Sequence, residues 1–470
     1  MSTTLHTEKR FFLYLSIITI AGFFIRVVNI NYASLWADEL YSMLSVHPGN
    51  SWYEILYMQR TYQPPAYFMM LWGWVSVIGY NEFAGRLLSV IGGTLAILAS
   101  AFLGKRIQGE KLGLLMAIIV AFNPTQIFYS LEARFYIFTY VVASICLWLH
   151  WHLLTNRPKH YFLYYIQAGV CALLCYFHHF GIFFVFGLFI HDLIVFNNDR
   201  ERMYFYRKLS VYVLSALIYS PWFFWGLLQG LSTTQFWLKD IDLWKYFTFS
   251  MGYPAALNIV LSLAILFFIF HFARKKEKYF GLFPVIVLAV TIIPLLYSIF
   301  RIPILVDRYG MVMAPAIYLM LGISILNILK WLKNKIAYRI AIVLLAIIFM
   351  TPGINLSLVN KDPLKKQPWR EMAHWLKKQP DIQETNVYSL GIYLKGRFTI
   401  EFYLEPEKKP LPISELRIGK DQKMYLVETS SVWKIDDKTL NEIGKAYEIK
   451  VISFQRNSPD FGNIYLCAKK

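Results

Sequence analysis

The feature that most constrains this chain is a series of apolar runs, each about twenty residues long, separated by short bursts of lysine and arginine. A helix rises about 1.5 Å per residue, so roughly twenty apolar residues are what the hydrocarbon core of a bilayer requires. Runs of that kind lie at roughly 11–30, 84–104, 112–130, 135–155, 161–178, 180–197, 209–229, 254–272, 280–300, 309–329 and 336–356. They predict a polytopic α-helical membrane protein with about eleven transmembrane helices. Composition agrees: 57% of residues are hydrophobic and 16% charged, where a soluble chain carries roughly 25% charged residues. The first run follows Lys9 and Arg10 and lacks a small-residue cleavage site, so it reads as a retained first span.

A formal net charge of +18 raises the question of nucleic acid, and the placement of the charge answers it. Basic residues fall in bursts between spans: Lys105/Arg106/Lys111, Arg157/Lys159, Arg200/Arg202/Arg207/Lys208, Arg274/Lys275/Lys276/Lys278 and Lys330/Lys333/Lys335/Arg339. This is the positive-inside signature of cytoplasmic loops and not a nucleic-acid-binding face. With the amino terminus in the cytoplasm, strict alternation puts every burst on the cytoplasmic side. A single miscounted span would scatter them.

The outward segments are then 31–83, the joins near 130–134 and 178–180, the stretch 230–253, the join 301–308 and the tail from about 357. Within the first, Pro64 to Gly79 is apolar but short and Pro-led, which suits a re-entrant or interfacial helix. The prolines after Gln63 pre-set the start of that helix. Past Pro352 the composition turns polar, with short alternating runs at Asn386–Leu390, Met424–Val427 and Glu448–Phe454, and helical spacing over Trp369–Lys378. Two regions follow: 1–356, a transmembrane catalytic domain that includes outer loop 31–83, and 357–470, a small soluble α/β domain outside the membrane. The protein is expected to be multi-pass in the cytoplasmic (inner) membrane, with its C-terminal domain extracytoplasmic. Of the four cysteines, Cys146, Cys171 and Cys175 lie in apolar runs, and no spacing suggests a disulfide framework or a zinc site.

Ionisable residues at membrane level are costly and are functional candidates by default. Several gather at the outer edge. Asp38 and Glu39 directly follow the first span; a carboxylate there serves either as a base for an acceptor hydroxyl or as a solvated loop acid. Tyr129 to Tyr136, with Glu132 and Arg134, opens the fourth span, and Val306-Asp307-Arg308-Tyr309 opens the tenth. Arg86 starts the second span and Arg26 lies near the end of the first. Each arginine alone reads as a snorkelling side chain; together they fit a ring of guanidinium groups around an anionic lipid head. His178 and His179 sit at the turn between the fifth and sixth spans, too divergent on a helix to pair on one metal. They read either as interfacial histidines or as contacts to acceptor or phosphate.

Taken in order, these pieces resemble the GT-C glycosyltransferases, in the branch of protein O-mannosyltransferases and lipid A aminoarabinose transferases. The matching stretches are SLWADE after span one, QPPAYFMMLW, NEFAGRLLSVIGG leading span two, YSLEARFY, FHHFGIFFV and VDRYGMVMAP. The resemblance implies a metal-independent or weakly metal-linked inverting transfer from a polyprenyl-phosphate sugar to a lipid, glycan or protein acceptor, with no nucleic acid involved. It implies Asp38 as the base, Glu39 as the following acid, and Arg134 and Arg308 near the donor phosphate; Arg86, at the start of the second span, is expected to join them there. Tyr67, Glu132, Tyr136, His178, His179, Asp307 and Tyr309 then become candidate substrate contacts. The chain departs from the family at Gln63, often His or Lys in relatives, and at Leu131, often Gln, so the resemblance does not carry over a substrate. The competing functions are a transporter or flippase of lipid-linked glycans and a non-catalytic envelope assembly protein. A transporter usually shows internal repeats and charge near the midplane, whereas here no repeat is evident and the charges cluster at the outer edge.

Overall fold

The computed structural model describes the chain apart from residue 1 and residues 60–62, 197–201, 229–241, 276, 365, 391–392, 395–396, 407, 430–433 and 455–460. Of the sequence expectations, the outer stretch 230–253 therefore lies outside the described residues up to 241, as do Arg200 and Lys276 of the basic bursts.

Each apolar run is helical. In chain order the first helices are α1 (Ser2–Val27), α2 (Ala37–Ser45), α3 (Trp52–Gln59), α4 (Ala66–Ile78), α5 (Glu82–Gln108), α6 (Glu110–Phe122), α7 (Pro124–Ser130) and α8 (Tyr136–Asn156). They are followed by α9 (Phe162–Phe177), α10 (Gly181–Val195), α11 (Arg202–Trp222), α12 (Leu243–Met251), α13 (Ala255–Lys275), α14 (Leu282–Phe300), α15 (Ala314–Leu329) and α16 (Lys335–Ile354). Among the described residues, seven helical segments are long and apolar enough to cross a membrane. The runs expected at 161–178, 180–197 and 309–329 give shorter apolar helices, α9, α10 and α15. Outer loop 31–83 contains α2, α3 and the 13-residue α4, the last where an interfacial or re-entrant helix was expected.

The run 112–130 departs from expectation: it is not one helix but α6 and α7, bent by 61° at a short break. Pro124 lacks the N–H that would continue α6, so it starts α7 instead, and the Asn123 side chain caps α7 by accepting from Gln126 N at 3.1 Å. The break frees carbonyls at the end of α6. Arg26 of α1, fully buried, donates Nη1 to Ala121 O at 2.8 Å and Nη2 to Val120 O at 3.0 Å, and its Nε reaches Ser130 Oγ at 2.9 Å. An arginine with no carboxylate partner among the described residues thus satisfies the C-terminus of a broken helix.

The basic bursts meet at one end of the bundle. Arg106 donates to Asn156 Oδ1 at 2.8 Å, Arg157 to Tyr279 Oη at 2.8 Å and Lys111 to Tyr338 Oη at 3.3 Å. These bonds join the ends of α5 and α8 to each other, the end of α8 to the turn before α14, and the start of α6 to the start of α16, all at one end of the bundle as strict alternation requires. The carboxylates and arginines of the candidate site occupy the other end.

After α16 come α17 (Trp369–Lys377), α18 (Glu401–Leu404) and α19 (Asp437–Ala446), with a five-stranded sheet. Its strands β1 (Asn386–Ser389), β4 (Leu411–Pro412), β5 (Lys423–Thr429), β6 (Tyr447–Phe454) and β7 (Gly462–Lys469) lie in the order β4-β1-β5-β7-β6; β2 (Tyr393–Leu394) and β3 (Arg397–Phe398) form a separate pair. β1 runs parallel to β4 and β5, and β7 antiparallel to β5 and β6. The period-2 alternation divides the sheet: Val387, Tyr425, Val427 and Ile464 join the main core with Trp369 and Met372, while Tyr388, Met424, Leu426 and Cys467 pack with Ile443 of α19.

Two glycines set how closely helices approach. A Cβ on Gly353 would collide with the carbonyl of Phe122, and one on Gly93 with Ser130 Oγ and Arg26 Nε. Backbone cannot yield as a side-chain tip can. Gly353→Ala is therefore expected to cost about 1–3 kcal/mol, read as a lower melting temperature of the purified protein. Gly169→Ala, where an added Cβ meets nothing within 4 Å, serves as the neutral control.

Candidate active site

The site is built around the first turn of α2. Trp36 is its N-cap, and Glu39, three residues on, accepts from Trp36 N at 3.3 Å, the geometry of a capping glutamate. Glu39 is 0% exposed. Its Oε1 accepts from Arg86 Nε at 2.9 Å and from Ala133 N at 2.9 Å, and its Oε2 from Arg86 Nη2 at 2.8 Å and Lys366 Nζ at 3.2 Å. Burial pushes this carboxyl up, but the adjoining Arg86 and Lys366 cations, with the hydrogen bonds from Arg86 and Ala133, outweigh it and hold it at about 2. Arg86 spends its remaining donors on the carbonyls of Ile30, Ala33 and Ser34 and on Glu82 Oε1. Glu132 lies beside Glu39, with Oε1 2.9 Å from Lys366 Nζ. Burial first, and then the Glu39 charge, push the Glu132 carboxyl up against the pull of Lys366.

Adjacent residues on a helix point about 100° apart, so Asp38 faces away from this sealed layer. Its side chain is 27% exposed, and its Oδ2 lies 3.4 Å from Arg308 Nη2. Arg134 donates Nη1 to the Asp38 backbone carbonyl at 3.2 Å and to Ser42 Oγ at 3.1 Å. Its guanidinium stacks on Phe135 at 4.8 Å, and that of Arg308 on Trp36 at 5.6 Å. The Nε of each arginine is buried with no hydrogen-bond partner among the described residues. A carboxylate and two guanidinium groups with uncommitted donors thus face one another.

Aromatic rings wall this group. His178 stands 4.6 Å from Tyr309 and 5.2 Å from Phe135, and Tyr136 lies 4.4 Å from Phe135. Burial, with the His179, Arg134 and Arg308 charges adding to it, lowers the His178 imidazole well below the usual range, so the ring is neutral there. Its Nδ1 accepts from Phe180 N at 3.0 Å, which leaves Nε2 as the donor. Tyr67 of α4 is buried behind Phe135 and Phe138. Asp307 pairs instead with Lys245 Nζ at 3.2 Å.

The expected residues therefore sort into layers. Asp38, Arg134, Arg308, Tyr136, His178 and Tyr309 converge. Glu39, Arg86, Glu132 and Tyr67 form a buried support beneath them. His179 turns away, its Nδ1 3.0 Å from Tyr219 Oη on α11, and burial lowers its imidazole to about 4. Lys366 was not anticipated from the sequence, although it bridges both buried glutamates. The signal was present: Lys365-Lys366 follows the last apolar run, and under the alternation expected from the sequence it is as contrary to the positive-inside bias as Arg86, Arg134 and Arg308. Among the described residues, no three His, Cys, Asp or Glu side chains of this site come within joint ligating distance.

Breaking the buried pair and neutralising the partly exposed carboxylate have different expected costs. Arg86→Met strands the Glu39 charge and is expected to cost about 3–5 kcal/mol, whereas Asp38→Asn shifts stability by no more than about 0.5 kcal/mol; thermal melting in detergent checks both. Because the Glu39 carboxyl is held at about 2, its contribution is complete above the ordinary glutamate value of about 4.3 and is lost as pH falls from there toward 2. The melting temperature is expected to drop over that window.

No family model and no curated protein matches the sequence. Solved structures do match. ArnT from Cupriavidus metallidurans bound to undecaprenyl phosphate is 11% identical, with 96% of this chain and 97% of that chain covered at a TM-score of 0.64. The same protein in the apo state gives 12%, 98% and 98%, and 0.62. The Archaeoglobus fulgidus oligosaccharyltransferase in complex with Zn and sulfate is 13% identical, covering 96% of this chain and 72% of that chain at 0.54. At such identities the likeness is one of fold: over nearly its whole length this chain shares the fold of ArnT and of the Archaeoglobus fulgidus oligosaccharyltransferase.

Proposed function

We propose that this chain is a membrane glycosyltransferase that moves a sugar from a polyprenyl-phosphate donor to a lipid, glycan or protein acceptor at the outer face of the cytoplasmic membrane, inverting the anomeric centre. The observation that carries the reading is Asp38, the partly exposed carboxylate of the cluster, held against two arginines whose Nε donors are uncommitted. A fold neighbour solved with undecaprenyl phosphate bound supports the donor class.

In this mechanism Asp38 takes the proton of the acceptor hydroxyl. The oxygen attacks the anomeric carbon, and the bond from that carbon to the phosphate oxygen breaks. Arg134 and Arg308 meet the charge that develops on the leaving phosphate, in a setting where fixed donors need little reorganisation. Tyr136, Tyr309 and neutral His178 line the sugar, with His178 Nε2 as a donor. Glu39, Arg86, Glu132, Lys366 and Tyr67 position these groups without touching substrate. A cavity of about 560 Å³, lined by residues including Phe128, Lys245, Phe249, Tyr253, Pro352 and Leu356, adjoins the cluster through the Lys245–Asp307 pair. Its mostly apolar wall suits an isoprenoid tail, with Lys245 toward the phosphate end.

Purified protein supplied with a panel of polyprenyl-phosphate monosaccharides should release polyprenyl phosphate. Asp38→Asn is expected to lower that rate by about 10²–10⁴-fold with an unchanged melting temperature, and Arg308→Ala to raise the KM for donor as well as lower kcat. Wild-type transfer by a well-folded Asp38→Asn protein would sink the assignment of the base. The same orientation predicts that a reporter joined after Lys470 is extracytoplasmic, whereas one inserted in 330–335 is cytoplasmic.

A further inference from the structure

A second polar cluster lies at the opposite end of the bundle from Asp38. His150 of α8, His191 and Asp192 of α10, and Lys208 and Tyr212 of α11 meet there, and His191 Nε2 lies 3.1 Å from the carbonyl of Lys278 in a basic burst. That contact settles the tautomer: a carbonyl only accepts, so Nε2 carries the proton and Nδ1 holds a lone pair. Nδ1 is buried and has no hydrogen-bond partner among the described residues. Asp192 is similar. Its Oδ2 accepts from the Tyr212 hydroxyl and lies 3.1 Å from Lys208 Nζ, while Oδ1 has no hydrogen bond. His150 Nε2 is the third unpartnered atom, 3.5 Å from Asp192 Oδ1. His150, His191 and Asp192 each offer one ligand atom, and these atoms lie within 4.8 Å of one another.

We infer that His150 Nε2, His191 Nδ1 and Asp192 Oδ1 form a binding site for one divalent transition-metal ion of the zinc class. Two imidazoles and one carboxylate are a donor set that zinc accepts, and a 3.5 Å separation of two ligand atoms is close to what bonds of about 2.0–2.2 Å in tetrahedral geometry give. The surroundings are those of oriented ligands: the Lys278 carbonyl fixes the His191 ring and the Tyr212 hydroxyl fixes the far oxygen of Asp192. Two buried acceptors, His191 Nδ1 and Asp192 Oδ1, have no hydrogen bond among the described residues, and His150 Nε2 lies 3.5 Å from the second. Lys208, 2.9 Å from His150 Nδ1, is the group a metal competes with. The ion would tie α8 to α10 at the end of the bundle away from Asp38.

The test uses full-length protein in detergent, stripped by chelator and titrated with zinc chloride, with metal content and melting temperature measured. One zinc per chain and a raised melting temperature are expected. His191→Ala should weaken binding at least about tenfold, Lys208→Met should bind zinc more tightly than wild type, and Asp38→Asn should retain it. Zinc uptake no greater in wild type than in His191→Ala, or uptake that survives the His150→Ala/His191→Ala pair, overturns the assignment. Should these variants fail to fold, cobalt added to stripped wild type decides: an intense visible band marks the low-symmetry site, and the weak spectrum of hydrated cobalt rules it out.

Discussion

The bond between Glu39 and Arg86 is the interaction on which the end of the molecule that holds the site depends. A carboxylate that is 0% exposed has lost its hydration and must be repaid by partners. Here the partners come from three separated parts of the chain: Arg86 from α5, the Ala133 amide from the join before α8, and Lys366 from beyond the last span. None can move without stranding charge in a dry interior. With Glu39 facing inward, helix geometry turns Asp38 outward, toward Arg308. The sealed residue therefore sets the direction of the exposed one, and two neighbouring acids acquire separate tasks.

The C-terminal region is drawn into the same arrangement. Gln367 accepts from Ala37 N at 3.1 Å through its side chain, and its carbonyl accepts from the Ser34 hydroxyl. Tyr403 Oη accepts from Leu35 N at 2.7 Å and donates to Glu82 at 3.1 Å, and Arg370 reaches Glu82 at 3.3 Å. These bonds hold the loop that carries Trp36 and Asp38 from above while Arg86 holds it from below. One face of the sheet is continuous with the transmembrane core, so the region after residue 357 builds the site as well as following it.

Much of this was legible in the sequence because lipid imposes strict rules. Apolar runs and basic bursts predicted the helices and the end at which each burst lies, and Arg106 with Asn156 and Arg157 with Tyr279 bear out that pairing of ends. Asp38, Arg134 and Arg308 stood out because charge at a membrane edge is costly. What was hidden depended on three-dimensional contacts. The break in 112–130 required reading Asn123-Pro124 as a cap and a start, which an apolar run conceals. Glu39 and Asp38 are indistinguishable as a dipeptide; only the direction of α2 separates them. His178 and His179 part for the same reason. Lys366 lies 327 residues from Glu39 along the chain, a separation that no local pattern bridges.

The end of the bundle that holds the site is also where regular helix is given up. α7 stops at Ser130, α9 at Phe177, and the run expected at 309–329 begins as α15 only at Ala314, after a 3-10 turn over Asp307–Val312. Irregular backbone at membrane depth survives only where protein or a wet cavity satisfies its polar groups. That condition is met locally: Ala133 N bonds to Glu39, Phe180 N to His178 Nδ1, and Ile304 N to Ser298 Oγ at 2.9 Å. Each unwound segment presents a site residue, Arg134, His178 or Arg308, that a continued helix would have committed to its own periodic face. Three helices ending short at one level leave three chain segments free to turn toward Asp38. The side chains that pay for the irregular backbone, Glu39 and His178, are themselves part of the site or of its support, so the unwinding and the chemistry cannot be separated.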